Sequence, residues 1–290
     1  MQVEVTGVRR LLFPDGTPVR AASAIAPLGD GSFVVVQDDA THACLVAADG
    51  TTARLRILPQ VEGHDVFSSA AGTKHLKPDL EAACPVPCGV LLLGSGSTPA
   101  RMRSVLLRPD LSTEVRDRSA AYAAVATALD VPTEALNLEG ACVVDGHLRW
   151  FQRGPAASVA VGLDALDRPH DVRRHDLGRV DGVPLGVTDA VSVGGHEGAV
   201  LVAAAAEDTP NPYDDGPVVA AAIALLDPDG AHDVAVLPPV DGRVAKVEGL
   251  AVLDWSPAGG RLLAVVDADD PDEPSALLTL QVAISVASSP

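Results

Sequence analysis

The chain has 290 residues, of which 47% are hydrophobic, and its 39 acidic residues outnumber its 21 basic ones to give a formal net charge of −18 at pH 7. Such a charge argues against nucleic acid or an anionic membrane as a partner, because both require clustered Lys and Arg. No apolar run approaches the roughly 20 residues of a membrane-spanning helix. The first residues do not resemble a secretory signal either, so we expect a cytoplasmic protein with a small-molecule partner.

A short motif recurs along the chain with an acidic residue at nearly the same place. LEAAC at 80–84 and LEGAC at 138–142 set Glu81 and Glu139 58 residues apart. In the same frame AASAIAPL supplies Ser23, VTDAVSV supplies Asp189 and VEGLAV supplies Glu248. Five copies at similar intervals indicate a structural repeat.

Each copy predicts a strand of small residues, a tight turn, and an apolar second strand that ends in polar residues. The second strands are FVVVQDD, VLLLGSGS, LRWFQRG, AVLVAAAAED and LLAVVDADD. Two further β-rich segments follow in most copies, so that each unit has about four strands, which is typical of a β-propeller blade. We predict an all-β fold in one domain over residues 1–290, a five-bladed β-propeller with six blades as the alternative.

The two ends of the chain complement each other. VEVTGVRRLLF at 3–13 precedes the first unit without a partner, whereas the last unit lacks its outermost strand. We therefore predict that the N-terminal strand completes the last blade and closes the ring, which removes an exposed sheet edge. Between the second and third units, SAAYAAVATALDVP predicts one short helix over 119–129 with Ser119 as its N-cap.

In a propeller, the start of the first strand and the end of the second strand lie at the same end of the central channel. Polar residues from both places are therefore expected to meet at one mouth. The first strands contribute Ser23, Asp79, Glu81, Asn137, Glu139, Thr188, Asp189 and Glu248. The second strands contribute Asp38, Asp39, Ser95, Ser97, Arg153, Glu207, Asp208, Asp267 and Asp269. Longer connections reach the same end at 60–76 and, as EDTPNPYDDGP, at 207–217.

Several carboxylates around one axis repel one another. Two unit charges about 5 Å apart cost roughly 3 kcal/mol at an effective dielectric constant near 20. A divalent cation, pairing with Arg153, Arg101 and Lys77, or protonation with raised pKa values could each compensate. Oxygen ligands of this kind suit calcium, or alternatively magnesium.

Other residues at the predicted mouth suit substrate binding and proton transfer. GSGSTPAR at 94–101 holds Ser95, Ser97 and Arg101, whose side chains and neighbouring backbone N–H groups could bind an anion. A tight loop between strands explains the same residues. Asp38 and Asp39 are further candidates for substrate binding. His75 is a candidate proton carrier, although a loop histidine is commonly just exposed.

KPDLEA, LLLGSGSTPAR, NLEGA, FQRG and VEGLAV together resemble a group of uncharacterised bacterial β-propeller proteins, itself similar to the phytase-like and gluconolactonase-type calcium-dependent propellers. The resemblance implies a metal at the channel mouth and hydrolytic chemistry. The ligands that it implies, by position, are Glu81, Asn137, Glu139, Asp189 and Glu248.

Our functional hypothesis is a metal-dependent hydrolase acting on an ester, a lactone or a phosphoester. Glu139, Arg153 and His75 are its candidate catalytic residues. The alternative is a propeller that binds a small ligand or peptide without catalysis. No GxSxG nucleophile motif is present, and propellers occur both as enzymes and as binding proteins.

Overall fold

A computed structural model of the chain describes residues 1–194, 198–208, 216–228, 232–268, 270 and 273–284. These residues form five antiparallel sheets arranged as a five-bladed β-propeller, which confirms the predicted fold and excludes six blades. Most of the 207–217 connection and Asp269 lie outside the described residues. No helix in the described part of the chain has the length and apolarity needed to cross a membrane.

The blades follow one another along the chain and are numbered 1 to 5 in that order. Blade 1 contains β2 (Ala22–Pro27), β3 (Phe33–Gln37), β4 (His42–Val46) and β5 (Thr52–Arg56). Blade 2 contains β6 (Leu80–Val86), β7 (Gly89–Gly94), β8 (Arg103–Leu107) and β9 (Thr113–Asp117). Blade 3 contains β10 (Leu138–Val144), β11 (His147–Gln152), β12 (Ala157–Gly162) and β13 (Ala165–Arg174). Blade 4 contains β14 (Arg179–Val180), β15 (Val183–Ser192), β16 (Val200–Glu207), β17 (Val218–Leu226) and β18 (His232–Val236).

Blade 5 combines the two ends of the chain. Its strand order is β19 (Val247–Ser256), β20 (Gly259–Val266), β21 (Ala276–Ala283) and β1 (Gln2–Arg10). Strand β1 pairs antiparallel with β21 along its whole length, from Gln2 opposite Ala283 to Arg10 opposite Ala276. The predicted closure of the ring by the N-terminal strand is therefore confirmed. The inner strands of blades 1 to 5 are β2, β6, β10, β15 and β19.

Small residues let neighbouring inner strands approach each other closely. A Cβ atom on Gly140 would lie 2.8 Å from the backbone nitrogen of Ala190 in the next blade. A Cβ atom on Gly249 would lie 2.8 Å from the Cα of Ala24, across the junction between the last and first blades. The need for this approach explains why the repeat is rich in Gly and Ala.

The predicted helix is present as α1 (Ser119–Leu129). Its buried Tyr122 donates a hydrogen bond from its hydroxyl to the carbonyl of Gly94 at 2.7 Å, which ties the helix to blade 2. The sequence predicted Ser119 as the N-cap, but Ser119 is the first helical residue and Arg118 is the N-cap. Asp117 accepts the Ser119 N–H at 2.9 Å and so satisfies one of the free N–H groups of the first turn.

Three short 3-10 turns lie in the connections at the mouth, at Lys74–Leu76, Pro99–Arg101 and Thr133–Ala135. Each precedes or follows a strand that reaches the channel mouth.

Candidate active site

One cavity of about 1050 Å³ lies at the end of the channel where the inner strands begin. Residues from all five blades line it. They include polar residues from both sets expected from the sequence, those of the first strands and those of the second strands. Its carboxyl groups belong to Asp38, Asp39, Asp79, Glu81, Glu134, Glu139, Glu207, Glu248, Asp267 and Asp270. Its Lys and Arg residues are Arg20, Lys74, Lys77, Arg101, Arg153 and Lys246.

A backbone irregularity recurs in every inner strand and aims the repeat residue. In each blade the register between the inner strand and its neighbour shifts at one residue near the mouth, as at a β-bulge. The bulge residues are Ser23, Glu81, Glu139, Thr188 and Glu248. The blade 4 member of the set is therefore Thr188, whereas the sequence frame assigned Asp189.

Asp189 lies one residue beyond the bulge and does not line the cavity. It is only 1% exposed, and its Oδ2 accepts a hydrogen bond from the backbone N–H of Leu250 in the next blade at 2.6 Å. Burial raises the pKa of Asp189 well above its ordinary value. Its position indicates a contact between blades rather than the cavity-facing metal ligand implied by the resemblance.

The two bulge residues without a charge also connect neighbouring blades. The Ser23 hydroxyl donates to the carbonyl of Leu80 at 2.6 Å, and the Thr188 hydroxyl donates to the carbonyl of Val247 at 2.6 Å. Leu80 and Val247 each precede the bulge glutamate of the following blade. Ser23 and the three glutamates line the cavity, whereas Thr188 does not.

In blade 3, the bulge glutamate is held by a guanidinium group. Arg153 Nη1 lies 2.9 Å from Glu139 Oε1 and 3.1 Å from Oε2, and the Asn137 amide donates to Oε1 at 2.6 Å. The other end of the guanidinium pairs with Glu207 of blade 4. Burial raises the pKa of Glu139 to about 7, although Arg153 favours its ionised form.

In blade 5, a lysine takes the place of the arginine. Lys246 Nζ lies 2.9 Å from Glu248 Oε1 and 3.9 Å from Glu207 Oε1. Glu207 thus lies between Arg153 and Lys246. A continuous series of ion pairs connects blades 3, 4 and 5 along one wall of the cavity.

A second series of ion pairs lies on the side of blades 1 and 2. Lys77 Nζ lies 2.5 Å from Asp38 Oδ2 and 3.0 Å from Asp79 Oδ1, and Arg101 Nη1 lies 2.9 Å from Asp79 Oδ2. Burial alone would raise the pKa of Asp79, but Lys77 and Arg101 lower it overall. Burial raises the pKa of Asp38 to about 6 in spite of Lys77. Asp79 has a positive φ of 54°, a left-handed backbone conformation that aspartate adopts more readily than most residues other than glycine.

Glu81 differs from the other bulge glutamates because it makes no hydrogen bond or ion pair with any described residue. Burial, followed by the charges of Asp38 and Asp79, raises its pKa well above the ordinary value of 4.5. Lys77 opposes this shift without making a contact with the Glu81 carboxyl group. Glu81 is thus a cavity-lining acid whose charge has no direct partner.

Asp38, Asp79 and Glu81 each offer an oxygen within 4.8 Å of the others, close enough to hold one metal ion. No other group of three such ligands exists in the described part of the chain, so Glu139, Asp189 and Glu248 do not join Glu81 around one ion position. The Lys77 ammonium already lies between two of the three carboxyl groups. A divalent cation would have to displace it.

The remaining predicted site residues occupy different depths. Asp39, Ser97 and Arg101 line the cavity, and Arg101 donates to the Ser97 hydroxyl at 3.0 Å. His75 lies exposed at the rim, on the turn Lys74–Leu76. Ser95 is fully buried, outside the cavity, and donates to Asp79. Ser95 therefore supports Asp79 and is not positioned to bind a substrate.

The motifs in the sequence do not single out Lys246, and they suggest Lys77 only as a residue that neutralises the acids. A compositional signal would have found both. The chain contains three lysines against 18 arginines, and all three lysines line this one cavity. Lys246 also lies two residues before Glu248, as Asp79 and Asn137 lie two residues before their bulge glutamates.

A family model described as a family of unknown function (DUF6910) matches residues 73–271. No curated protein matches the chain. Among solved structures, the mannose phosphorylase MPT-4 from Leishmania mexicana, in complex with a phosphate ion, is 17% identical with a TM-score of 0.52, over 95% of this chain and 88% of that one. Virginiamycin B lyase from Staphylococcus aureus with quinupristin is 10% identical with a TM-score of 0.45, over 97% and 100%. At such identities these similarities concern the propeller fold alone.

Proposed function

This chain belongs to the DUF6910 family, and we propose that it is a hydrolase that cleaves a small ester, lactone or phosphoester in the cavity at the channel mouth. Enzymes occur among its structural neighbours, so catalysis is compatible with the fold. The proposal itself depends on the residues of the cavity.

The observation that carries the proposal is the placement of Glu139, a carboxyl group that lines the cavity and is held there by neighbouring side chains. Burial raises its pKa to about 7, which suits a general acid–base catalyst near neutral pH. Asn137 and Arg153 fix its orientation. In its ionised form Glu139 would accept a proton from water as the water oxygen attacks the carbonyl carbon or the phosphorus.

The leaving oxygen then needs a proton as its bond to carbon or phosphorus breaks. Glu139 would return the proton it accepted, or His75 at the rim would supply one. The products are an alcohol and a carboxylic or phosphoric acid, and for a lactone they are parts of one molecule. Arg153 orients Glu139 and stays paired with Glu207.

Turnover of a panel of small esters, lactones and phosphoesters by the purified full chain tests the proposal. We expect Glu139→Gln to lower the rate on any hydrolysed compound by about 10²-fold or more. Glu114→Gln is the matched control, because Glu114 lies on β9 at the outer edge of blade 2 and pairs only with surface arginines. Unchanged turnover in Glu139→Gln would overturn the proposal. A ligand that raises the melting temperature without being consumed would support the non-catalytic alternative.

Dependence on a divalent cation, calcium rather than magnesium, is a second candidate, favoured by the carboxyl cluster of Asp38, Asp79 and Glu81. These three residues would hold the ion, which would supply a Lewis acid when bound. Metal analysis of the purified protein, and melting temperatures before and after chelation, test this candidate. Calcium-dependent stabilisation that Asp38→Asn abolishes would support it, and equal stability with and without calcium would exclude it.

A further inference from the structure

Five of the six Lys and Arg residues that line the cavity contact an acid, and the exception among the described residues is the exposed Lys74. Lys77 contacts Asp38 and Asp79, and Arg101 contacts Asp79. On the opposite wall, the partners of Arg153 and Lys246 are Glu139, Glu207 and Glu248. An anionic substrate would have to compete with these carboxyl groups for each of the four cations.

The charge without a direct partner is negative. Glu81, Asp38 and Asp79 carry three negative charges when ionised, whereas the adjoining Lys77 and Arg101 carry two positive ones. When Glu81 is ionised, one negative charge therefore has no cation of its own, and a positive group bound beside Glu81 would favour that ionised form. The whole cavity, these five residues included, has ten carboxyl residues against six Lys and Arg. One positive charge balances this corner without the expulsion of Lys77.

We propose that the substrate carries a positively charged amino group that binds beside Glu81, which makes the substrate an amino ester or amino lactone. This inference rests on the proposed hydrolase function and narrows its substrate class. Lys77 shows how such a group binds, because its own ammonium lies between two carboxyl groups of the same cluster. A second ammonium group would donate hydrogen bonds to Glu81 in the same way.

The size of the cavity and the charge of the chain agree with an organic cation. A volume of about 1050 Å³ exceeds what a single metal ion fills and is of the size of small-molecule sites. The net charge of −18 attracts cations to the surface, and a cleft rich in acids concentrates that field.

Three methyl esters of nearly equal size test the charge preference. They are β-alanine methyl ester, which is cationic, methyl butyrate, which is neutral, and monomethyl succinate, which is anionic. We expect kcat/KM to fall in that order, by about tenfold between the cationic and neutral esters, and the preference to shrink as salt is added. In Glu81→Gln the difference in kcat/KM between the cationic and the neutral ester should disappear. An equal or higher rate on the anionic ester would overturn the proposal.

Binding of the corresponding amides separates this inference from the hydrolase function. If no ester is cleaved but β-alaninamide alone raises the melting temperature, and Glu81→Gln removes that effect, the amine site stands without the hydrolase. Asp38→Asn is a second variant for the same measurement, and circular dichroism confirms that both variants fold. Stabilisation by calcium chloride but by none of the amides would overturn the amine site.

Discussion

Blades 2 and 3 carry almost the same inner strand, yet their bulge glutamates have different surroundings. LEAAC places Glu81 at the bulge of blade 2, and LEGAC places Glu139 at the bulge of blade 3. Glu139 is bonded to Arg153 and Asn137, whereas Glu81 has no direct partner among the described residues.

The difference comes from two flanking positions on the same backbone frame. The Ser95 N–H donates to the carbonyl of Asp79 at 2.9 Å, and the Arg153 N–H donates to the carbonyl of Asn137 at 2.9 Å. Blade 2 therefore has an acid and a hydroxyl where blade 3 has an amide and a guanidinium. The repeat sets where each glutamate lies, and these flanking side chains set which charge it carries.

The largest expected effect is that of removing the guanidinium from blade 3. Arg153→Gln leaves Glu139 and Glu207 buried without their shared cation, so we expect the free energy of unfolding at mildly alkaline pH to fall by about 3 kcal/mol. Loss of the positive charge also raises the pKa of Glu139 further, which moves any activity that needs its ionised form to higher pH. Urea unfolding and a pH–rate profile measure the two effects.

Arg116→Gln is the control for that variant, because Arg116 forms an exposed ion pair with Glu114 on β9. Such surface pairs contribute between about 0 and 1 kcal/mol. Equal losses in the two variants would mean that the Arg153 pairs are no stronger than a surface pair.

The residue after the bulge is Gly140 in blade 3 and Ala82 in blade 2, and exchanging the two types tests how tightly each inner strand packs against the next blade. In Gly140→Ala the new Cβ would lie 2.8 Å from backbone atoms of Ala190 and Asp189, which can move only if blade 4 moves. We expect a loss of about 2 kcal/mol in the free energy of unfolding. The reverse exchange in blade 2, Ala82→Gly, should cost about 1 kcal/mol. A loss in Gly140→Ala no larger than that in Ala82→Gly would show that the interface between blades 3 and 4 relaxes.

Much of the fold could be predicted from the sequence, because a repeat leaves a visible period. The five blades, the closure by β1 and the meeting of distant acids at one mouth all follow from the spacing of Ser23, Glu81, Glu139 and Glu248. The frame failed by one residue in blade 4, where VTDAV contains both Thr188 and Asp189. Asp189 matches the glutamates of the other blades in chemistry, but the bulge is a property of the backbone, and Thr188 occupies it.

The pairing of the site residues could be predicted only in part. Arg153, Arg101 and Lys77 were expected as possible partners of the acids, and all three form ion pairs there. Lys246 and Glu207 come from different blades, and Lys77 reaches Asp38 across a blade boundary. Such contacts depend on side-chain direction and on loop paths, which leave no period in the sequence. The rarity of lysine was the one available indication.

The two hydroxyl residues at the bulge extend the comparison to blades 1 and 4. Ser23→Ala and Thr188→Val each remove a 2.6 Å hydrogen bond to the carbonyl of the next blade. Because the two bonds are equivalent, we expect equal losses of about 1 kcal/mol in the free energy of unfolding, measured in urea. Losses that differ by more than the mean of the two would show that the bulge residues are not equivalent.

Glu81→Gln is expected to change the free energy of unfolding least at acidic pH. The difference between variant and wild type should then grow, in favour of the variant, as the pH rises. The pKa of Glu81 in the fold lies well above the value of 4.5 expected when the chain is unfolded. As the pH rises above about 4.5, the unfolded chain ionises first, so the wild-type protein loses stability over this range until the pKa in the fold is passed. Glutamine resembles the protonated acid and does not titrate, and the variant avoids that loss.

We therefore expect Glu81→Gln to match the wild type within about 0.5 kcal/mol at acidic pH and to become the more stable protein as the pH rises. Urea unfolding at acidic, neutral and mildly alkaline pH measures the trend. A variant that becomes less stable than the wild type with rising pH would mean that Glu81 is ionised and favourably paired within the protein. Blades 2 and 3 would then differ in geometry alone, and the charge imbalance that favours a cationic substrate would be absent.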